Sequence, residues 1–247
     1  MAFWNPEKIR FMEDASAHVP FSDMLAAEAS AYFDRDALVC DAGCGLGFLS
    51  IALAKHCRQV ISADCDDEVL NVLRKHIAQK RVSNVAPLCC DIFSHTPNEN
   101  YDAMVFCFFA SIAETLACAK GQCSGNVIMF KKDWHSHRFS ITETPIEKIR
   151  HNDSEAELSA LGIPYISKSF SVDMGQPFRS LNDAVAFFRL YERGDRTDFD
   201  LKKIESMLVP GNSAEFPYYL PAVRNVGMIV INTADIPAPE VLNEYNF

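Results

Sequence analysis

The sequence has no long apolar run, no cluster of basic residues and no paired cysteine motif. None of its apolar stretches reaches ~18 residues, the length that a transmembrane helix needs, so we expect no membrane contact. Acidic residues number 33 against 23 basic ones, a net charge of −10, and no segment is rich in Lys and Arg. An acidic chain of this kind is a poor candidate for tight binding to a nucleic-acid backbone.

Cysteine is plentiful but is not arranged for a metal or for disulfides. The nine cysteines are odd in number, lie mostly in apolar runs and include no C-x-x-C pair. This usage predicts reduced thiols and no metal site. Residues 1–20 also lack the basic start and apolar run of a signal peptide, so we expect a cytoplasmic protein.

Apolar strands alternate with amphipathic helices over the first half of the chain. Strands are predicted at 37–41, 59–64, 85–90, 101–108 and 126–131. Nearly unbroken apolar strands in repeated strand–helix units are typical of a parallel sheet covered on both faces. We therefore predict an α/β, doubly wound and mostly parallel sheet.

The most informative segment follows the first predicted strand. Asp41 is followed by glycines at alternate positions, Gly43, Gly45 and Gly47. Glycine lets the backbone approach a ligand where a Cβ would clash, and a strand-to-helix turn leaves backbone N–H groups free to bind one. A dinucleotide fingerprint needs its third glycine one residue later, where this chain has Phe48, so the spacing disfavours a dehydrogenase.

Three further landmarks follow in order along the chain. Asp64 ends the second strand, Asp91 follows the third, and Tyr101-Asp102 opens the fourth. With the glycine motif, they make residues 38–110 resemble the class I S-adenosylmethionine-dependent methyltransferases. The resemblance implies a seven-stranded Rossmann-like sheet, S-adenosylmethionine as cofactor and S-adenosylhomocysteine as its product.

The resemblance also implies roles for residues at the carboxyl edge of the sheet. Asp64 would accept hydrogen bonds from the ribose hydroxyls, Asp91 from the adenine amine, and Asp41 would lie near the methionyl ammonium group. Taken alone, Asp64 and Asp91 could instead be helix N-caps, since both stand at the ends of strands. The implied cofactor-binding set is Asp41, Gly43, Gly45, Gly47, Asp64, Cys65, Asp91, Ile92 and Cys107.

The second half of the chain is less regular but has no repeat and no low-complexity linker. Strands are predicted at 166–173 and 226–231, with two helices between them. We expect one methyltransferase domain with an insertion rather than a second domain. Its parts are an N-terminal helical cap at 1–36, a cofactor-binding core at 37–133 and a helical substrate-cover insertion at 174–222, within 1–247.

Candidates for catalysis come from location alone. Methyl transfer is an SN2 displacement, and the enzyme mainly has to hold the nucleophile in line with the methyl group. The family that this chain resembles has no universal catalytic residue, so the resemblance implies none here. His135 and His137 follow the fifth strand and would point the same way on an extended segment, so either could be a general base. The alternative, histidines of a surface loop, is the commoner case.

Substrate-binding candidates lie further along the chain. Trp134 precedes the histidines, and Arg179 could pair with an anionic group on the substrate. Tyr218 and Tyr219 could line an aromatic pocket or could merely pack the insertion on the sheet. Aromatic residues are frequent in the insertion, which favours a small organic methyl acceptor over a flexible polymer.

Three functions are consistent with these patterns. The first is methyl transfer to a small-molecule O, N or S nucleophile, and the second is a nucleic-acid or protein methyltransferase of the same fold. The third is an S-adenosylmethionine-binding protein without transferase activity. The acidic composition counts against the second. So does the sequence Phe-Cys-Phe-Phe at residues 106–109, where amino-methylating nucleic-acid enzymes carry an Asn-Pro-Pro-Tyr-type motif.

Overall fold

The computed structural model of the protein describes residues 4–136, 139, 141, 150–192 and 201–238. Within these residues the chain forms ten strands and eight α-helices. The strands are β1 (Leu38–Ala42), β2 (Gln59–Asp64), β3 (Val85–Cys89), β4 (Tyr101–Cys107), β5 (Cys123–Lys132), β6 (Ile166–Asp173), β7 (Gln176–Phe178), β8 (Val209–Pro210), β9 (Tyr218–Leu220) and β10 (Val223–Asn232).

The helices are short, and several begin at a side-chain cap. They are α1 (Pro6–His18), α2 (Phe21–Ala29), α3 (Phe48–Leu53), α4 (Asp67–Lys80), α5 (Ile112–Gln122), α6 (His151–Ala160), α7 (Leu181–Tyr191) and α8 (Leu201–Met207). Asp66 caps α4 by accepting hydrogen bonds from two backbone N–H groups, and Ser111 with Glu114 forms a capping box at α5. No helix of the described residues is long and apolar enough to cross a membrane.

Seven strands form one sheet in the order β3-β2-β1-β4-β5-β10-β6. β1 pairs in parallel with β2 and β4, β2 with β3, and β4 with β5, whereas β10 runs antiparallel to β5. The chain builds outward from β1 on one side and then returns to place β4 on the other. In open sheets of this kind, ligands bind beyond the carboxyl ends of the strands at that reversal, here between β1 and β4.

Burial explains why the central strands read as unbroken apolar runs. All five residues of β1 are buried, and four consecutive residues of β4, 103–106, are fully inaccessible. A strand covered on both faces loses the apolar–polar alternation of a half-exposed one. The prediction of a doubly wound, mostly parallel seven-stranded sheet with N-terminal helices is confirmed.

The chain divides into two compact units. The core unit comprises Ser22–Asp133, Ile149–Phe170 and Val226–Phe247, and the insertion unit comprises Met1–Phe21, Trp134–Lys148 and Ser171–Asn225. The insertion unit has its own sheet, β7-β9-β8, and its own aromatic cluster. That cluster contains Phe11, Phe139, Phe178, Phe187 and Phe188.

The insertion between the last two strands of the large sheet is helical, as predicted, but also contains the three short strands β7, β8 and β9. These strands have two or three residues each, too few for an alternating pattern to appear in the sequence. The second of the two helices predicted in this insertion spans 198–208. It is observed as α8 from Leu201, and the first three residues of the prediction lie outside the described range.

Candidate functional site

The glycine turn after β1 is held in a left-handed conformation. Gly43, Gly45 and Gly47 have φ angles of 69°, 53° and 76°, a region that residues with a Cβ rarely adopt. The backbone N–H groups of Gly43 and Cys44 both donate to the carbonyl oxygen of Ala63 on β2, at 2.9 and 3.0 Å. The turn is therefore tied to the neighbouring strand as well as to β1.

Two of the glycines are required by close packing inside the fold. A Cβ on Gly43 would lie 2.6 Å from the ring of Phe109, and one on Gly47 would lie 2.2 Å from a methyl carbon of Leu73 on α4. Both neighbours are carbon atoms of partly or fully buried side chains. The absence of a Cβ at these positions therefore serves the packing of the turn as well as any ligand.

The N–H groups of the turn are mostly satisfied within the protein, which corrects the expectation that they are free. Those of Gly43 and Cys44 donate to Ala63, that of Gly47 to the carbonyl oxygen of Cys44, and that of Gly45 to the carboxylate of Asp64. What the edge presents is acceptor oxygen rather than N–H donors. Such a site suits a ligand with hydroxyl, amine or cationic groups better than one with phosphates.

Asp64 connects the glycine turn to the turn that follows β2. One carboxylate oxygen accepts from Gly45 N at 2.9 Å, and the other accepts from Asp66 N at 3.0 Å. The cap of the following helix is Asp66, so the alternative that Asp64 is an N-cap is not observed. Asp64 is half-buried at the carboxyl end of β2, beside the point where the sheet reverses.

Asp41 is a buried carboxyl group with a single hydroxyl partner. It is 1 % exposed and accepts a hydrogen bond from Ser50 Oγ at 2.5 Å. Burial, with a smaller contribution from the negative charge of Asp64, raises the pKa of Asp41 to about 6, although the hydrogen bond from Ser50 opposes the shift. No cation among the described residues pairs with Asp41. A positively charged ligand would therefore stabilise its ionised carboxylate.

Asp91 and Ile92 lie after β3, where no helix follows. Asp91 is exposed, and its carboxylate accepts from Phe93 N at 3.1 Å, which leaves further acceptor capacity. The helix N-cap alternative for Asp91 is therefore not observed either. Ile92 is 4 % exposed within the core cluster, and its carbonyl oxygen accepts from Gln122 Nε2 at 2.6 Å.

The two cysteines in the predicted set differ in exposure. Cys65 is exposed directly after β2, and Cys107 is half-buried at the end of β4, where burial raises the pKa of its thiol. All nine cysteines are free. Among the described residues, no group of three or more His, Cys, Asp or Glu side chains is placed to hold a metal ion.

An aromatic wall beside the glycine turn was not predicted. Phe109 stacks on Phe106 with ring centroids 6.3 Å apart and on Phe93 at 5.6 Å. Phe109 also lies against Gly43, since a Cβ added to Gly43 would be 2.6 Å from the Phe109 ring. The sequence contains the phenylalanines of residues 106–109, but nothing in it places Phe109 against the glycine turn.

The substrate-binding candidates belong to the insertion unit and are largely engaged there. The guanidinium of Arg179 forms a two-nitrogen ion pair with Asp14, a further contact with Glu215 at 3.4 Å, and lies 4.7 Å from the centroid of Phe216. The positive charge of Arg179, which was predicted to pair with an anionic group of the substrate, is thus already paired within the insertion unit. A substrate role for Arg179 stays a prediction.

The tyrosines lie in β9, which the sequence did not identify as a strand. Tyr219 donates from its hydroxyl to Asp173 at 2.5 Å and packs on His18, while Tyr218 is packed against the aromatic cluster. These contacts all lie within the insertion unit, and a substrate role for the two tyrosines stays a prediction. Trp134 is half-buried and His135 is exposed, and His137 lies outside the described residues.

Comparison with known proteins agrees with this fold. Residues 39–122 match a family model described as a methyltransferase domain, and no curated protein matches the sequence. The YcgJ protein from Bacillus subtilis has a TM-score of 0.53 and 14 % identity, covering 85 % of this chain and 97 % of its own. A putative methyltransferase, BH2331 from Bacillus halodurans C-125, has a TM-score of 0.54 and 12 % identity, covering 85 % and 98 %.

A third similar structure concerns the conversion of a disulfide bond into a thioacetal group during echinomycin biosynthesis. Its TM-score is 0.52 at 15 % identity, covering 94 % of this chain and 88 % of its own. At these identities the likenesses show a shared fold. The family match is confined to residues 39–122, and the fold of the chain is the Rossmann-like fold of these neighbours, one of which is a putative methyltransferase.

Proposed function

We propose that the protein is an S-adenosylmethionine-dependent methyltransferase that transfers a methyl group to a small-molecule O, N or S nucleophile. The observation that carries the proposal is the position of Asp64. Its carboxylate lies against the left-handed glycine turn at the reversal of the sheet, in hydrogen-bond contact with Gly45 N. Ligands of open α/β sheets bind at this point.

The chemistry of the edge fits this cofactor. Of the polar groups of S-adenosylmethionine, the sulfonium, the ammonium group, the two ribose hydroxyls and the adenine amine are cationic or donate hydrogen bonds. Asp41, Asp64 and Asp91 supply acceptors, and four turn amides that a pyrophosphate would need are already used within the protein. Asp64 would hold the ribose, Asp91 the adenine amine, and Asp41 the ammonium end.

The bound cofactor would supply an activated methyl group, and the protein would hold the acceptor in line with it. Support for a small-molecule acceptor comes from the net charge of −10 and from the phenylalanine-rich segment after β4. That segment has no side-chain amide to hold an amino group of a nucleobase. The aromatic content of the insertion unit points the same way.

The proposal is tested by following a labelled methyl group. The purified protein would be incubated with S-adenosylmethionine labelled on the methyl carbon, together with a small-metabolite extract, with RNA or with protein. We expect incorporation into the metabolite fraction only. Incorporation confined to RNA or protein would overturn the acceptor class, and no incorporation in any fraction would favour a binding protein without transferase activity.

A matched pair of variants ties the transfer to the site. Asp64→Ala removes the carboxylate at the turn and should lower incorporation at limiting cofactor by tenfold or more. Asp67→Ala is the control, since Asp67 is an exposed residue of α4 whose carboxylate forms an ion pair with Arg74, at 2.9 Å, and with no other described residue. Asp67→Ala should transfer methyl groups at the wild-type rate.

A further inference from the structure

Lys131 is a buried lysine near the carboxyl end of β5, in the core unit. Only 1 % of its surface is exposed, and its Nζ donates a hydrogen bond to the carbonyl oxygen of Ala110 at 2.8 Å. No carboxylate oxygen of the described residues lies within 4.0 Å of this Nζ. Burying a charge without an ion pair costs free energy. This cost indicates that the hydrogen bond from Lys131 to the Ala110 carbonyl has a role in the loop that contains Ala110.

The loop that Lys131 contacts is strained. Phe108 and Ala110 have φ angles of 53° and 62°, and they are two of the three non-glycine residues with positive φ in the described chain. Residues with a Cβ persist in this region only where their surroundings hold them there. β5 holds both ends of the loop, since Phe130 accepts from Phe108 N at 2.9 Å and Lys131 donates to Ala110.

The residue between the two strained positions is Phe109. Its ring lies against Gly43 and stacks on Phe93, which follows Asp91 and Ile92. The conformation of the loop therefore sets where an aromatic ring lies between the glycine turn and the segment after β3. A shift at Ala110 would move the ring relative to both.

We propose that Lys131 is a positioning residue of the cofactor site: by holding the Ala110 carbonyl, it keeps the 108–110 loop in its left-handed conformation and Phe109 against Gly43. The link to S-adenosylmethionine rests on the proposed function. The part of the proposal that concerns the loop rests on the geometry alone.

The surroundings of Lys131 make the contact sensitive to pH. Burial lowers the pKa of Lys131 to about 8, against the opposing effect of Glu157 on α6 and Glu114 on α5. His151 of α6 also faces this side, since its ring lies against Gly227, the partner of Lys131 across the β5–β10 pair. As the pH rises through about 8, the ammonium becomes a neutral amine and its hydrogen bond to Ala110 weakens.

The loop part is tested by fluorine NMR with 4-fluorophenylalanine placed at position 109 alone. In the wild type we expect one resonance that titrates near pH 8. Lys131→Met, which keeps the aliphatic stem but removes the donor, should shift or split the resonance. Lys131→Gln, which keeps an N–H donor without the charge, should retain the wild-type position and lose the titration.

The link to the cofactor is tested by isothermal titration with S-adenosylmethionine. Lys131→Met should weaken binding by fivefold or more, and Lys131→Gln should stay within about twofold. Lys120→Met is the matched control, because Lys120 also donates to carbonyl oxygens, those of Thr233 and Ile236, away from the loop. It should change neither the affinity nor the fluorine resonance.

Ala110→Gly gives a second measurement if Lys131→Met folds poorly. Glycine adopts positive φ without strain, so the loop should no longer depend on Lys131, and Ala110→Gly should restore the cofactor affinity of Lys131→Met to within about twofold of wild type. An unchanged resonance and unchanged affinity in Lys131→Met would overturn the proposal. A wild type that binds no S-adenosylmethionine would instead refute the proposed function, and the fluorine result would still decide the loop part.

Discussion

The two units of the molecule differ in the groups that their buried and half-buried acidic side chains bond to. In the insertion unit, Asp14 and Asp183 are each bonded to an arginine guanidinium, so their charges are neutralised locally. In the core unit, Asp41 and Asp64 accept only from a hydroxyl and from backbone N–H groups, with no cation among the described residues paired to either. Paired charges stabilise a fold, whereas unpaired acceptors at a sheet edge are available to a ligand. On the proposed function, the first set stabilises the insertion unit and the second binds the cofactor.

The largest expected effect tests whether the glycine turn is also a structural element. Gly47→Ala places a Cβ 2.2 Å from Leu73, a fully buried residue, at a φ of 76°. Overpacking and the left-handed backbone together should lower the free energy of unfolding by about 3 kcal/mol. Gly121→Ala is the control, because its Cβ would meet nothing within 4 Å, and chemical denaturation should show equal or greater stability. Equal stability of Gly47→Ala and wild type would contradict the packing account.

The next effect separates stability from binding at Asp41. Because burial raises its pKa from 3.8 to about 6, the stability associated with the neutral acid is complete below pH 4 and is lost as the pH rises through about 6. Asp41→Asn should abolish this part of the pH dependence and raise the free energy of unfolding at pH 7.5 by about 2 kcal/mol.

The same variant should lose cofactor affinity by about tenfold, or about 1.4 kcal/mol, because the ammonium group loses its carboxylate. Thermal denaturation across pH 4–8 and titration calorimetry at pH 7.5 measure the two effects. A variant that is less stable and binds normally would assign Asp41 to the structural set instead.

The smallest effect concerns the paired charges of the insertion unit. Asp14 has a side chain that is 9 % exposed and contacts both Arg10 and Arg179, so Asp14→Asn should lower the free energy of unfolding by about 1 kcal/mol. The matched variant is Asp23→Asn in the core unit, whose partner Lys55 and own side chain are both more than half exposed, and its cost should be below about 0.5 kcal/mol. Denaturant titrations that rank the two in the reverse order would refute the assignment.

Fold and site differed in how much of each the sequence revealed. The long amphipathic pattern of residues 67–80 predicts a helix, and α4 has these bounds. The nearly unbroken apolar strands predict the parallel sheet. β7 and β8 could not be predicted, because Pro177 and Pro210 lie within strands of three and two residues whose pairing is decided by tertiary contacts.

Within the site, the spacing of Asp41 and Asp64 around the glycines was readable because it is local in sequence. The role of Lys131 could not be predicted, since the residue stands beside Lys132 near the end of a strand and has the sequence pattern of a solvated charge. Its contact is with a loop 21 residues earlier in the chain. Only the parallel pairing of β4 with β5 brings the two together.

The most direct test of the account compares two cofactors that differ in charge. Titration calorimetry of the wild type with S-adenosylmethionine and with NAD⁺ should show saturable binding of the first and binding at least about a hundredfold weaker, about 2.7 kcal/mol, of the second, since the site offers acceptors rather than free amides. Asp64→Ala should weaken S-adenosylmethionine binding by tenfold or more. Equal affinity for the two cofactors, or an Asp64→Ala variant that binds S-adenosylmethionine as the wild type does, would contradict the account.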